Sequence, residues 1–180
     1  MIPPDNVRGL LRSEYEKLVE VGMFEGLRIE LLDGQIVEKS PQSVAHSSIL
    51  NALARPCYAL IAPDREISVC SGFRAGMRSM PEPDLAIVPA RYRHPEEALL
   101  VVEVADDSLR NDLGIKAAIY AAAGVPEYWV VDVAHDLVIE HKRPTVRGYQ
   151  SIESQKRGAT LRTSAVPMLV ITVDDILDCT

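Results

Sequence analysis

"ALLVVEVADDS", residues 98–108, is the stretch on which the reading of the fold turns. Its first half is almost wholly aliphatic, and a run of that kind packs inside a sheet. Yet Glu103 stands within it, and Asp106 and Asp107 follow. A buried carboxylate is costly unless it is paired, hydrogen-bonded or bound to a cation. The rest of the chain must therefore supply Glu103 with a partner.

Downstream, "SLRNDLGIKAAIYAAAG" predicts a helix with an apolar stripe of Ile115, Ala118, Ile119 and Ala122, stopped by Gly124 and Pro126. "EYWVVDVAHDLVIEHKR" reads as two strands joined by a tight turn, with Asp132 capping that turn. "GYQSIES" and "ATLRTS" read as further strands, and "TVDDILD" as a closing helical turn. Upstream, "PEPDLAIVPA" is a short strand opened by Asp84, and "EISVCSGFRAGM" is a strand entering a turn. "SVAHSSILNALARPCYALI" predicts a helix N-capped by Ser43 that ends or kinks near Arg55, because Pro56 removes a hydrogen bond. "LRIELLDGQIVEKS" reads as two strands about an Asp33-Gly34 hairpin turn. Leu11, Tyr15, Leu18 and Val19 predict an amphipathic helix over about residues 9–21. Helices and strands alternate as in an α/β mixed sheet with helices packed on it, in one domain spanning residues 1–180.

Composition narrows the class further. Of the 180 residues, 47% are hydrophobic and 25% charged, a balance suited to one domain with a real core. No apolar run approaches the ~20 residues that span a bilayer. "MIPPDNVRGLLRSEYEK" lacks the apolar core of a signal peptide, so the expectation is a cytoplasmic protein with no membrane partner. Cys57, Cys70 and Cys179 are scattered, and fit neither a disulfide framework nor a zinc site. The net charge of −7 works against long-range attraction to nucleic acid. A local basic patch can still act, since screening sets in over about 8 Å. Arg74 with Arg78, Arg91 with Arg93, Lys142 with Arg143 and Arg147, and Lys156 with Arg157 read as solvated loop positions.

The connection "PARYRHPEEA" is short enough for an antiparallel hairpin between the Asp84 and Glu103 strands. With Val88 opposite Leu99, Asp84 falls opposite Glu103, with Cβ atoms about 4.5–5.5 Å apart. Two carboxylates so placed repel unless a proton or cation lies between them, and a hard divalent cation meets that need. Pairing of Glu103 with an arginine, or its opening to water at a sheet end, is the alternative. Lys116 lies on the following helix, one position off the apolar stripe, with Asp112 and Tyr120 on its side at i±4 spacing. At the edge of the buried face its ammonium can reach the strand ends; the alternative is a local salt bridge to Asp112.

An aspartate, then a glutamate in a strand, then a lysine resembles the core of the PD-(D/E)XK nuclease superfamily. "PEPDLAIV", "LLVVEVADDSLRNDLGIKAAIYAAAGVPEYWVVD" and "RIELLDGQIVEKSP" together resemble one branch of it, the Uma-type "putative restriction endonuclease" family, over nearly the whole chain. The resemblance implies a restriction-endonuclease-like fold, a central mixed β-sheet flanked by helices. It also implies hydrolysis of phosphodiesters in nucleic acid, with DNA as the expected substrate and Mg²⁺ or Mn²⁺ as cofactor. Asp84 and Glu103 match the two motif acids. Ala105 stands where the basic pattern has lysine; the branch carries that lysine on the next helix, where Lys116 matches it. Glu30 matches an N-terminal acid that completes the metal site, and His46 falls where the branch carries a histidine, beside the ligands. Asp84, Glu103 and Glu30 would then hold metal, and Lys116 would orient water and stabilise developing charge. A nuclease that cuts both strands is expected to be a homodimer. The other readings are an inactive nucleic-acid-binding module and a structural or regulatory oligomer that retains the fold. Asp106 and Asp107 read as loop or N-capping groups.

Overall fold

The computed structural model describes residues 8–90 and 94–178. Arg91, Arg93, Cys179 and the start of the N-terminal stretch lie outside them. The first helix is α1 (Arg12–Glu20), followed by a hairpin of β1 (Ile29–Leu32) and β2 (Gln35–Glu38). Asp33 and Gly34, with φ of 44° and 79°, make its two-residue turn, the left-handed geometry that Asp-Gly supplies. Then come α2 (Val44–Leu60), β3 (Arg65–Val69), β4 (Leu85–Pro89) and β5 (Leu100–Ala105). A helical segment follows in three parts: α3 (Leu109–Asn111), a π-helical turn (Asp112–Lys116) and α4 (Ala117–Ala122). The chain continues through β6 (Glu127–Asp132), β7 (Leu137–Thr145), β8 (Gly148–Lys156), β9 (Thr160–Leu161) and β10 (Ile171–Thr172) to α5 (Val173–Leu177).

Strands β3 to β8 form one sheet in sequence order. Only the β5–β6 pair is parallel. These two strands are joined by the helical segment, and a parallel pair requires such a crossover. The β4–β5 register pairs Leu85 with Val102 and Ile87 with Leu100, as the hairpin reading expects. One step further along the same register sets Asp84 opposite Glu103.

The sheet is covered on both faces, which is why β5 is apolar at every position but Glu103. Leu85, Ile87, Leu100, Val102, Val104, Trp129 and Val131 pack with α2 and α5 on one side. Ala86, Val88, Val101, Ala105, Tyr128 and Val130 pack with α4 on the other. Alternation along the strands places Asp84 and Glu103 on this second side.

Two sequence expectations are corrected. Helix α2 runs through Pro56 to Leu60, and Ile61 N–H still bonds Cys57 O at 2.9 Å. The hydrogen bond that proline forfeits is offset by the buried face of Leu50, Leu53, Ala54 and Cys57. The helix after Glu103 is also rotated from the expected orientation. Ile115 is 38% exposed and Ala118 and Ala122 face outward, while Asp112, Lys116, Ala117, Tyr120 and Ala121 are buried. Apolar periodicity misassigns this face because the polar groups on it are the ones Glu103 requires. Several basic residues expected to be solvated are tied into ion pairs: Arg74 to Glu16, Arg78 to Asp33, Lys142 to Glu140 and Arg157 to Asp136. Asp132 caps its turn as expected, accepting from His135 N at 3.2 Å.

His141 on β7 is 2% exposed and packs against Tyr128 and Tyr149 at ring separations of 5.1 and 5.5 Å. Burial lowers its pKa below the ordinary histidine value of 6.5. The unfolded chain therefore takes up a proton that the folded chain resists, and stability falls as pH drops below about 6.5. The thermal midpoint should fall less steeply between about pH 7 and pH 5 in His141→Phe than in the wild type, as followed by circular dichroism.

Candidate active site

Five elements converge on one cavity. Asp84 immediately precedes β4, β5 contributes Glu103, and β1 contributes Glu30. The first turn of α2 contributes His46, and the π-helical turn ends in Lys116. All five side chains line a cavity of about 130 Å³. The sequence reading named each of them, and the fold brings all five together.

Asp84 is fixed from two directions. Its Oδ2 accepts from Val104 N at 2.8 Å, a bond that follows from the β4–β5 register. Its Oδ1 lies 3.2 Å from His46 Nε2. Ser43 caps α2 by accepting from His46 N at 3.0 Å, which sets the histidine in the first turn facing β4. Burial alone would raise the Asp84 carboxyl, but the bonds from His46 and Val104 outweigh it and hold the pKa below the ordinary aspartate value. Gln42 Nε2 lies 3.0 Å from the same His46 nitrogen, a contact the sequence reading missed.

Glu103 is 2% exposed, and Oε1 receives both of its donors. Lys116 Nζ lies at 3.0 Å and Tyr120 Oη at 2.7 Å. Burial pushes its carboxyl up to about 8, with Asp84 and Asp112 adding to the push and Lys116 opposing it. The two motif acids are thus pushed in opposite directions, Asp84 toward its ionised form and Glu103, even beside Lys116, toward its neutral one.

Lys116 is 3% exposed and faces three carboxylates. Glu103 is at 3.0 Å, Glu30 at 3.2 Å and Asp112 at 3.5 Å. Burial would lower its pKa, but these three acids outweigh it and raise the value above that of an ordinary lysine. The local pair with Asp112, considered as an alternative, coexists with the contact to Glu103. The Glu30 carboxylate is anchored by Glu82 N–H at 3.1 Å.

Lys116 is the last residue of a π-helical turn. Ala117 N–H reaches back to Asp112 O, the wider i to i+5 step, and Tyr128 Oη donates to that carbonyl at 3.0 Å. The Asp112 carboxyl accepts from Ser108 Oγ. Ser108 is the N-cap residue of α3, but its hydroxyl serves Asp112 instead of the helix end. Asp106 and Asp107 lie in the preceding loop, exposed at the mouth of the cavity. Arg28 and Lys39 also line it.

Glu30, Asp84 and Glu103 offer only oxygen donors, the set that a hard divalent cation takes. The push on the Glu103 carboxyl is also what a nearby cation would relieve. Among the described residues, no three His, Cys, Asp or Glu side chains already surround one point, and the Lys116 ammonium stands between Glu30 and Glu103. The residues fit a metal in kind, with Asp84 and Glu103 as its nearest holders and Glu30 beside them.

Residues 12–174 match the family described as "Uma2: Putative restriction endonuclease". No curated protein matches the chain. Among solved structures, the chain is similar to "a putative nuclease belonging to DUF820" from Anabaena variabilis ATCC 29413. The two share 14% identity and a TM-score of 0.72 over 84% of this chain and 90% of that one, so the likeness is one of fold.

Lys116→Met should remove the one cation that Glu30, Glu103 and Asp112 share. Breaking a buried ion pair from one side costs about 3–5 kcal/mol, and urea denaturation at pH 8 should show a loss of that order. The loss should shrink at pH 5.5, where the stranded carboxyls take up protons in the folded state.

Proposed function

The chain belongs to the Uma2 family, and from that membership together with the site geometry we propose that it is a divalent-metal-dependent endonuclease hydrolysing phosphodiester bonds in DNA. The observation that carries the proposal is the placement of Asp84 and Glu103 on neighbouring strand ends, in one cavity, with the Lys116 ammonium on the Glu103 carboxylate.

In this reading Asp84 and Glu103 hold Mg²⁺ or Mn²⁺, and Glu30 completes the set. The bound ion supplies Lewis acidity, lowering the pKa of a water and offsetting charge on the phosphate. His46 locks Asp84 in its ionised form and fixes its orientation. Lys116 orients the attacking water and stabilises negative charge as the phosphate is attacked. Arg28 and Lys39, at the lip of the cavity, are positioned to meet the phosphates of the strand. The proposal extends to a homodimer whose two cavities cut the two strands, working in the cytoplasm. Among the described residues no helix is long and apolar enough to cross a membrane.

A second reading draws on the same cavity. Glu38, Asp106 and Asp107 join the three candidate metal ligands in the lining, so acids outnumber Arg28, Lys39 and Lys116. Such a lining suits a protein that holds metal without cutting nucleic acid.

Calorimetric titration with Mn²⁺ and Mg²⁺ should show binding by the wild type that Glu103→Gln abolishes. With metal present, Asp84→Asn should lower cleavage of DNA by at least about a hundredfold, the scale of lost transition-state stabilisation at such sites. Metal binding by the wild type without cleavage of single- or double-stranded DNA or RNA would instead support the second reading. Unchanged metal binding by Glu103→Gln, with unchanged cleavage by Asp84→Asn, would overturn the assignment of the site.

A further inference from the structure

Tyr120 is wholly buried on α4, one turn beyond Lys116, and its hydroxyl donates to Glu103 Oε1 at 2.7 Å. Its ring is wedged between Phe73 and Tyr128, at centroid distances of 6.1 and 5.0 Å. A buried phenol needs an acceptor, yet the choice of this one is informative. Lys116 bonds the same oxygen at 3.0 Å, so Oε1 carries both donors and Oε2 carries neither of them. The terminal torsion of a glutamate is soft and would otherwise let the plane of the carboxylate turn. A donor on a ring packed against two aromatic neighbours restricts that turn.

We infer that Tyr120 is a positioning residue, which fixes the Glu103 carboxylate with Oε1 turned to the protein and Oε2 left for a divalent cation. The inference rests on the metal-site reading above. Partners of this kind, behind the ligands themselves, set the orientation of a metal-binding carboxylate and its affinity. Tyr128 provides a matched control. It is equally buried and lies against Tyr120, but its hydroxyl goes to the Asp112 carbonyl at 3.0 Å and not to Glu103.

The test is a calorimetric Mn²⁺ titration of the full chain as wild type, Tyr120→Phe and Tyr128→Phe, with thermal melts in chelator to compare stability. Each variant loses one buried hydroxyl, so the melts should fall alike. Mn²⁺ affinity should drop by about 10- to 100-fold in Tyr120→Phe and stay at the wild-type value in Tyr128→Phe. A second readout needs no substitution at position 120: Mn²⁺ drawing on Glu103 should perturb tyrosine absorbance in both the wild type and Tyr128→Phe. Wild-type affinity in Tyr120→Phe, an equal loss in both variants, or no tyrosine perturbation at saturating Mn²⁺ would overturn the inference. A wild type that binds no Mn²⁺ overturns the metal-site reading first, and this inference with it.

Discussion

The burial of Glu103 in the middle of a sheet covered on both faces is the constraint from which the site follows. A lone carboxylate there would be expelled or protonated. Lys116 and Tyr120 meet it from the helical segment, and both reach Oε1. That requirement rotates the segment so that Asp112, Lys116 and Tyr120 turn inward while Ile115 and Ala118 stay outside. Apolar residues of similar volume in place of such a pair often leave stability unchanged or improve it. The carboxylate and its two donors are therefore better explained by chemistry than by holding the fold together.

Topology does the rest of the assembly. The antiparallel β4–β5 register aligns the start of one strand with the end of the other, so two acids far apart in the chain share a sheet end. The parallel β5–β6 pair requires a crossover, and the crossover is the segment that carries Lys116. The β1–β2 hairpin is a separate small sheet, joined to the main body at Leu31 and Met80, and it brings Glu30 against the ammonium. The environments then divide the acids. His46 and a backbone N–H hold Asp84 ionised, while burial drives Glu103 toward its neutral form.

Much of this was legible in the sequence. Asp33-Gly34 specified its turn, Ser43 specified its cap, and the assumed pairing of Val88 with Leu99 across the short connection gave the register that the structure has. Lys116 was visible as an i+4 neighbour of Asp112 and an i−4 neighbour of Tyr120. Local rules suffice there, because turn geometry, capping and short hairpins depend on residues close in the chain.

Other features were decided only by tertiary structure. Pro56 remains inside α2 because packing of the helix face outweighs one lost hydrogen bond. Of the apolar stripe read as the inner face, Ile119 packs against the core but Ile115, Ala118 and Ala122 face outward, since periodicity weighs hydrophobicity and cannot count the donors that a buried acid demands. The π-helical turn, the Tyr128 bond to the Asp112 carbonyl and the Gln42 contact with His46 leave no local signal. The sequence supplied most of the elements, an assumed β4–β5 pairing that the structure matches, and, through the family resemblance, the five side chains that converge. Tertiary structure decided which face of the helix turns inward and how the Glu103 carboxylate is held, because burial and the pairing of charge are settled only when distant segments pack together.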